Sequence, residues 1–246
     1  VDFGGGIAGS EYEVPLTGYQ RAFANTADSS QTAFSQELQL QGESLDGLVS
    51  YVTGLYYFRE AGVQNITTKA DAVYFDALIP RTFEIETTSY AAFGQVSIKP
   101  TDSLTINVGG RYTEDHKSLD GLIATTVKLD GTGGGIVNLS KKYKDFLPKV
   151  GVDYQVTPRI MVYASYSEGF KAGGFNGLSD SAAQLNSPFG AQSVRAYEIG
   201  FKSDFFDRKA RLNVSAFIND YSSIQQQNQA GGVFTTLNYS AKHKGI

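Results

Sequence analysis

Leu104-Thr105-Ile106-Asn107-Val108-Gly109-Gly110-Arg111-Tyr112-Thr113 alternates along its whole length. Leu104, Ile106, Val108, Gly110 and Tyr112 fall on one side; Thr105, Asn107, Gly109, Arg111 and Thr113 fall on the other. A period of two puts successive side chains on opposite faces of a β-strand, so this segment predicts a strand with one apolar and one polar face. The pattern recurs outward from it. Val150, Val152, Tyr154 and Val156 alternate with Lys149, Gly151, Asp153 and Gln155, and Tyr197, Ile199 and Phe201 with Glu198, Gly200 and Lys202. Leu212, Val214, Ala216 and Ile218 oppose Arg211, Asn213, Ser215 and Asn219, with Phe217 an exception on the polar side.

These runs last about ten residues or more, whereas strands of soluble proteins usually stop near five or six. Ten residues at about 3.3 Å each, tilted near 45°, span on the order of 23 Å, the height of the apolar band of an outer-membrane barrel. In lipid such strands must pair, since the bilayer offers the backbone no other partners. Tyr56, Tyr57, Phe58, Tyr112, Phe170 and Tyr221 at one set of strand ends, with Phe205 and Phe206 at the other, are expected to form interfacial girdles.

The connections alternate in length. Gly42–Gly47, Lys99–Asp102, Thr157-Pro158 and Asp207-Arg208 are short and carry the Gly, Pro and Asp that reversals need. Between them lie long polar stretches near 60–84, 116–144, 171–192 and 223–232, expected as loops. One trimmed rim and one elaborate rim match the short periplasmic turns and long external loops of outer-membrane barrels. Approximate strands are expected at 33–42, 47–58, 86–98, 103–115, 145–156, 159–170, 194–206, 209–222 and 233–241. The fold class is therefore all-β: an antiparallel up-and-down meander, with residues 1–246 forming part of one barrel domain. Nine strands is an odd number, and no export signal is legible near Val1, so the expectation is an incomplete segment of a larger transmembrane barrel.

Composition narrows the function classes. Hydrophobic residues make up 41% and charged residues 19%, and no apolar run approaches the roughly 20 residues of a membrane helix. There is no cysteine and there are two histidines, so no thiolate or histidine-rich metal centre and no cofactor are expected. The net charge of −4 without a basic run argues against nucleic acid.

Met161-Val162-Tyr163-Ala164-Ser165-Tyr166-Ser167-Glu168-Gly169-Phe170-Lys171-Ala172-Gly173-Gly174-Phe175-Asn176-Gly177 resembles the β-barrel of TonB-dependent outer-membrane receptors. Phe34–Leu40, Gly54–Phe58, Ala92–Gln95, Gly110–Asp115, Tyr197–Ser203 and Phe205–Lys209 agree with it. The resemblance implies a barrel of roughly 22 strands around an N-terminal plug. It also implies residence in the bacterial outer membrane, no enzymatic activity, and active import of a scarce nutrient, an iron chelate (ferric siderophore) first among them. The partners it implies are outer-membrane lipid, the receptor's own plug, and the TonB-ExbB-ExbD complex acting through that plug. Neither the plug nor its TonB-contacting motif is found in these residues. A small passive barrel (porin or adhesin) closed by eight strands, and a secreted β-sandwich or propeller hydrolase, stand as alternatives.

Strand parity puts Glu37, Gln39, Gln41, Arg111, Asp115, Lys149, Asp153, Glu198, Lys202, Asp204, Arg211 and Asn219 on the polar, lumen-facing side. A solvated wall is the plain expectation for them. The candidate ligand contacts are Arg111, whose planar fork suits an anion, and Phe170, Lys171, Phe175 and Asn176 around Gly173-Gly174, as an aromatic clamp or a glycine-permitted bend. The Gln225–Gln227 run offers amides to a polar ligand. Gly4-Gly5-Gly6-Ile7-Ala8-Gly9 has dinucleotide-motif spacing but neither a strand before it nor a helix after it. Gly131–Gly135 is expected as a loop. Glu114-Asp115 and Glu84/Glu86 are the carboxylates that a glycosidase would have to use.

Overall fold

The computed structural model describes residues 23–70, 77–124, 134–177, 185–230 and 233–246. The glycine run at 4–9 and Gly131–Gly133 lie outside them. Nine strands follow one another: β1 Phe23–Ser44, β2 Val49–Ala70, β3 Ala77–Thr101, β4 Leu104–Ile123, β5 Gly135–Thr157, β6 Ile160–Lys171, β7 Gln192–Phe205, β8 Ala210–Ala230 and β9 Val233–Gly245. Each pairs antiparallel with the next in one sheet of order β1 to β9. The meander is as expected, and the sheet is open, since β1 and β9 do not pair. A sandwich, a propeller and an eight-stranded closed barrel are all incompatible with it.

Strand length is the main correction. β3 runs 25 residues and β5 23, so the hairpins climb well past the bilayer, and much of 60–84, 116–144 and 223–232 is paired strand rather than loop. Polar composition misled here. Gln64-Asn65-Ile66-Thr67-Thr68 is polar, yet β-branched residues suit a ladder in water as well as in lipid. Of the long connections, only the one between β6 and β7 leaves the sheet over most of its described length.

Directly opposed residues share a face, so the register sorts inward from outward. Leu38, Leu55, Ala92, Tyr112 and Phe146 form one outward row, and Val96, Val108, Val150 and Tyr166 another. The inward rows include Gln39–Gly54–Phe93–Arg111–Leu147 and Gln41–Val52–Gln95–Gly109–Lys149–Ser167. We take Tyr90–Ile98 of β3, Leu104–Tyr112 of β4 and Phe146–Tyr154 of β5 as the membrane-spanning segments, because their outward positions are apolar and exposed. All twelve residues assigned inward by parity share the lumen face.

The girdle is only partly as expected. Tyr57, Tyr112, Phe170 and Phe205 face outward, whereas Tyr56, Phe58 and Tyr221 face the lumen. Phe34, Tyr90, Phe146, Tyr166 and Tyr197 are further outward aromatics, with ring pairs Tyr57–Tyr90 at 5.3 Å and Tyr166–Tyr197 at 5.0 Å. Phe217, the exception to alternation, lies over Gly245: a Cβ added there would stand 2.5 Å from its ring. The aromatic covers backbone that glycine leaves bare.

At the short rim, Leu45, Asp46, Phe206, Asp207 and Arg208 all have positive φ, alongside Gly47 at 84°. A two-residue hairpin turn of this hand fits the strand twist, but only glycine adopts it without cost. Arg159 of the β5–β6 turn and Asp207 of the β7–β8 turn are joined at 2.8 Å.

Candidate functional site

The β5–β6 ladder runs only from Lys149↔Ser167 to Thr157↔Ile160. Pro148 lies just above it, at the position where a residue without an N–H is tolerated. Above that point β5 continues with β4 alone, and β6 ends at Lys171. The chain then crosses the inner side of the extended hairpins.

That crossing is packed and hydrogen-bonded. Leu185, 0% exposed, joins Phe83, Leu119, Ile123 and Val137 in a buried cluster, with Ile85, Leu139 and Phe175 against it. The Tyr143 hydroxyl donates to the Phe189 carbonyl at 3.2 Å. Gly173 must lack a side chain, since a Cβ would meet the Phe189 oxygen at 2.2 Å and the Tyr143 ring at 2.6 Å. On the far side, carboxamides tie the segment to β8 and β9. Gln225 Nε2 donates to the Ala172 and Gly190 carbonyls at 2.9 and 3.0 Å, Gly190 N–H donates to Asn238 Oδ1 at 2.8 Å, and Asn238 Nδ2 donates to the Gly190 oxygen at 3.1 Å.

Asn176 belongs to this belt. Its Nδ2 donates to the Ser187 carbonyl at 3.0 Å, its Oδ1 accepts from Thr236 N–H at 2.8 Å, and the residue is 7% exposed. Its amide is committed to the fold, as is that of Gln225. Phe170 occupies the last outward position of β6 while Phe175 packs inward, so the two rings do not face each other as a clamp.

Lys171 points into the mouth, where it meets residues that the loop expectation concealed. Row by row on the inner face stand Tyr56, Thr113 and Asp145; then Phe58, Ser89, Asp115 and Tyr143; then Glu60, Thr87, Lys117 and Lys141. Burial depresses the Lys117 ammonium below the usual lysine range, Asp115 and Glu60 partly restore it, and the charge of Lys171 lowers it further. Lys141 Nζ lies 5.5 Å over the Tyr143 ring. Below them Arg111 is held between Tyr56 at 5.1 Å and Phe93 at 5.9 Å. Lys117, Lys141 and Tyr143 were legible in principle: continuing the period of two past Asp115 puts every odd residue of β4 inward, and continuing it back from Lys149 does the same for β5.

Arranged in this way, aromatic faces and partly desolvated cations can hold a planar or anionic solute. Among the described residues no three His, Asp or Glu side chains converge as metal ligands. Glu114 and Asp115 lie on opposite faces, and Glu86 is paired bidentately to Arg59 at 3.1 and 3.0 Å, so no hydrolytic carboxylate pair forms.

Known structures share this architecture. The ferric yersiniabactin uptake receptor FyuA from Yersinia pestis superposes with a TM-score of 0.69 at 20% identity, covering 82% of this chain and 30% of that one. The ferric-catecholate import receptor Fiu of E. coli K12 gives 0.62 at 19% identity, over 90% of this chain and 36% of its own. In sequence, the rhizobactin receptor of Rhizobium meliloti is 28% identical over 158 residues, 54% of this chain and 20% of that protein. The metal-pseudopaline receptor CntO of Pseudomonas aeruginosa is 36% identical over 70 residues, 28% of this chain and 9% of that protein. The chain thus spans a fifth or less of the length of these two sequence relatives. These relatives are receptors rather than enzymes. Residues 3–246 match the family described as TonB dependent receptor-like, beta-barrel, and the chain belongs to that family.

Proposed function

We propose that these nine strands form part of the wall and mouth of an outer-membrane receptor that takes up an anionic iron chelate, a ferric siderophore, with energy from the TonB-ExbB-ExbD complex. Further strands close the barrel, since an open edge is not stable in lipid, and a plug fills its lumen and carries the TonB contact. The observation that carries the ligand reading is the inward-facing set of Lys117, Lys141, Lys171 and Arg111 among the rings of Tyr56, Phe93 and Tyr143. Such a set offers charge-assisted contacts to oxygen anions and flat faces to a chelate's rings. Family membership and the siderophore-receptor relatives support the same reading. Of the candidates from sequence, Arg111 and Lys171 are the proposed ligand contacts. Phe175 and Asn176 shape the mouth by anchoring the inward-folded segment, and Phe170 faces lipid.

The test is uptake of radioactive iron by iron-starved cells that lack or carry the intact receptor, across a panel of ferric chelates. Receptor-dependent uptake of an anionic chelate is expected, together with binding at least about ten-fold weaker in the Lys117→Ala/Lys171→Ala double variant. Uptake of no ferric chelate, or unchanged affinity in the double variant, would refute the reading.

A further inference from the structure

The β6–β7 segment touches the wall of β3–β5 at two heights and leaves one row between them. At the lower height its Gly173 and Phe189 lie against Tyr143, in the inner row Ser89–Asp115–Tyr143. At the upper height its Leu185 is buried with Phe83 and Val137, which share the row Phe83–Gly121–Val137, and with Leu119 one row below. Thr87, Lys117 and Lys141 form the row in between, directly under Ile85, Leu119 and Leu139. All three are half-buried.

A second seat for the segment is built into β8. Between the pairs Tyr221↔Ala241 and Ile224↔Tyr239, β8 carries one residue more than β9. Such a bulge disrupts the ladder locally and re-aims side chains. Here the freed groups turn to the segment and to the start of β7. Ser223 Oγ donates to the Ala191 carbonyl at 2.6 Å, and Gln225 N–H donates to Gln192 Oε1 at 3.0 Å. Asn238 Nδ2, besides its bond to Gly190, donates to the Ser223 carbonyl at 3.1 Å and so ties the bulge and the segment to β9. The segment is thus fixed by apolar burial at one seat and by carboxamides at the other.

We propose that the seated segment is a fixed size filter, which admits a single anionic arm of a solute to Lys117 and Lys141 and bars the body of the solute. The opening to that row has the wall on one side and the segment on the other, and the Leu185 cluster closes it above. Its width is therefore set by packing, and close-packed contacts do not stretch to fit a larger guest. Asn238 and Gln225 are positioning residues, acting through the segment they hold. The inference rests on the mouth being the route of an anionic chelate, and adds which part of the chelate reaches the lysines.

These 246 residues contain no cysteine, so Thr87→Cys reports on the filtered row. Ile136→Cys serves as an open reference, since Ile136 is 83% exposed. Whole cells carrying the intact receptor are labelled with N-ethylmaleimide or with a maleimide on a long polyethylene glycol chain, and the receptor without an introduced cysteine gives the background. Relative to Ile136→Cys, the small reagent is expected to label Thr87→Cys at least about ten-fold faster than the large one. Gln225→Ala/Asn238→Ala at one seat, and Leu185→Ala at the other, should each erase that ratio and leave the small reagent's rate unchanged, whereas general loosening of the barrel would raise both rates. Equal access of the two reagents with the segment seated, or a ratio that survives in both variants, overturns the proposal. Heat-modifiable migration on gels verifies that each variant is folded. Labelling needs no chelate, so iron uptake across the chelate panel succeeds or fails independently of it.

Discussion

The inner face of β3–β5 has two regions of opposite chemistry on one unbroken parity. Within the bilayer it is polar: Ser97 donates to Asn107 at 2.6 Å, and Asn107 donates to Asp153 at 2.9 Å. Above the bilayer the same face becomes Phe83, Ile85, Leu119, Val137 and Leu139. The outward face changes in the opposite sense, from Val96, Val108 and Val150 to Glu84, Asp120 and Asn138. The medium explains the inversion. In the membrane the outside is hydrocarbon and the lumen is wet; above it the outside is water, and the inner side is covered by the β6–β7 segment. A strand's faces are assigned by what covers them at each height, and the chain changes its pattern where the covering changes.

Phe83→Ala is the strongest way to break this contrast. It empties a fully buried ring site, at about 3–5 kcal/mol. The expected result is release of the inward-folded segment, seen as lost hydrogen-exchange protection at 185–191 with β3–β4 protection within the bilayer intact. Unchanged protection at 185–191 would mean that the upper cluster does not hold the segment. Val108→Arg is the matching lesion in the lower region, and places charge in hydrocarbon at about 2–4 kcal/mol. It should lower the folding free energy in lipid vesicles and leave the upper cluster untouched.

A third comparison sets the depressed Lys117 against its pH-insensitive replacement. Burial raises the cost of its charge, so the ammonium loses its proton at lower pH than an ordinary lysine. The penalty on the folded state is therefore present at neutral pH and relieved as pH rises through that depressed value. Anionic chelate affinity should fall over the same alkaline window, and Lys117→Arg should abolish the fall. A pH profile identical in the two proteins would exclude Lys117 from the site. The smallest effect is expected at the short rim, where Arg208 has a φ of 68°. Arg208→Gly should gain about 1 kcal/mol by relieving a left-handed residue, read as a higher urea midpoint.

Much of this was legible from residues alone. The alternation at Leu104–Thr113 specified a strand and its faces, because a period of two is a property of the extended chain itself. Arg111 could be placed on the wall by counting, and so could Lys117 once the count is carried past Asp115. Asn176 and Gln225 could not be assigned, since an amide in a polar stretch serves a ligand or a backbone carbonyl equally well until its neighbours in space are known.

The sequence by itself determined the meander, the trimmed rim and the split between lipid and lumen faces, all consequences of short-range periodicity and turn chemistry. Only the tertiary structure decided that the hairpins climb past the bilayer and that the β6–β7 segment folds back across them. It also decided that Lys117 and Lys171 are near enough for the charge of one to act on the other. Each of these depends on contacts between residues tens of positions apart, which the local pattern does not encode.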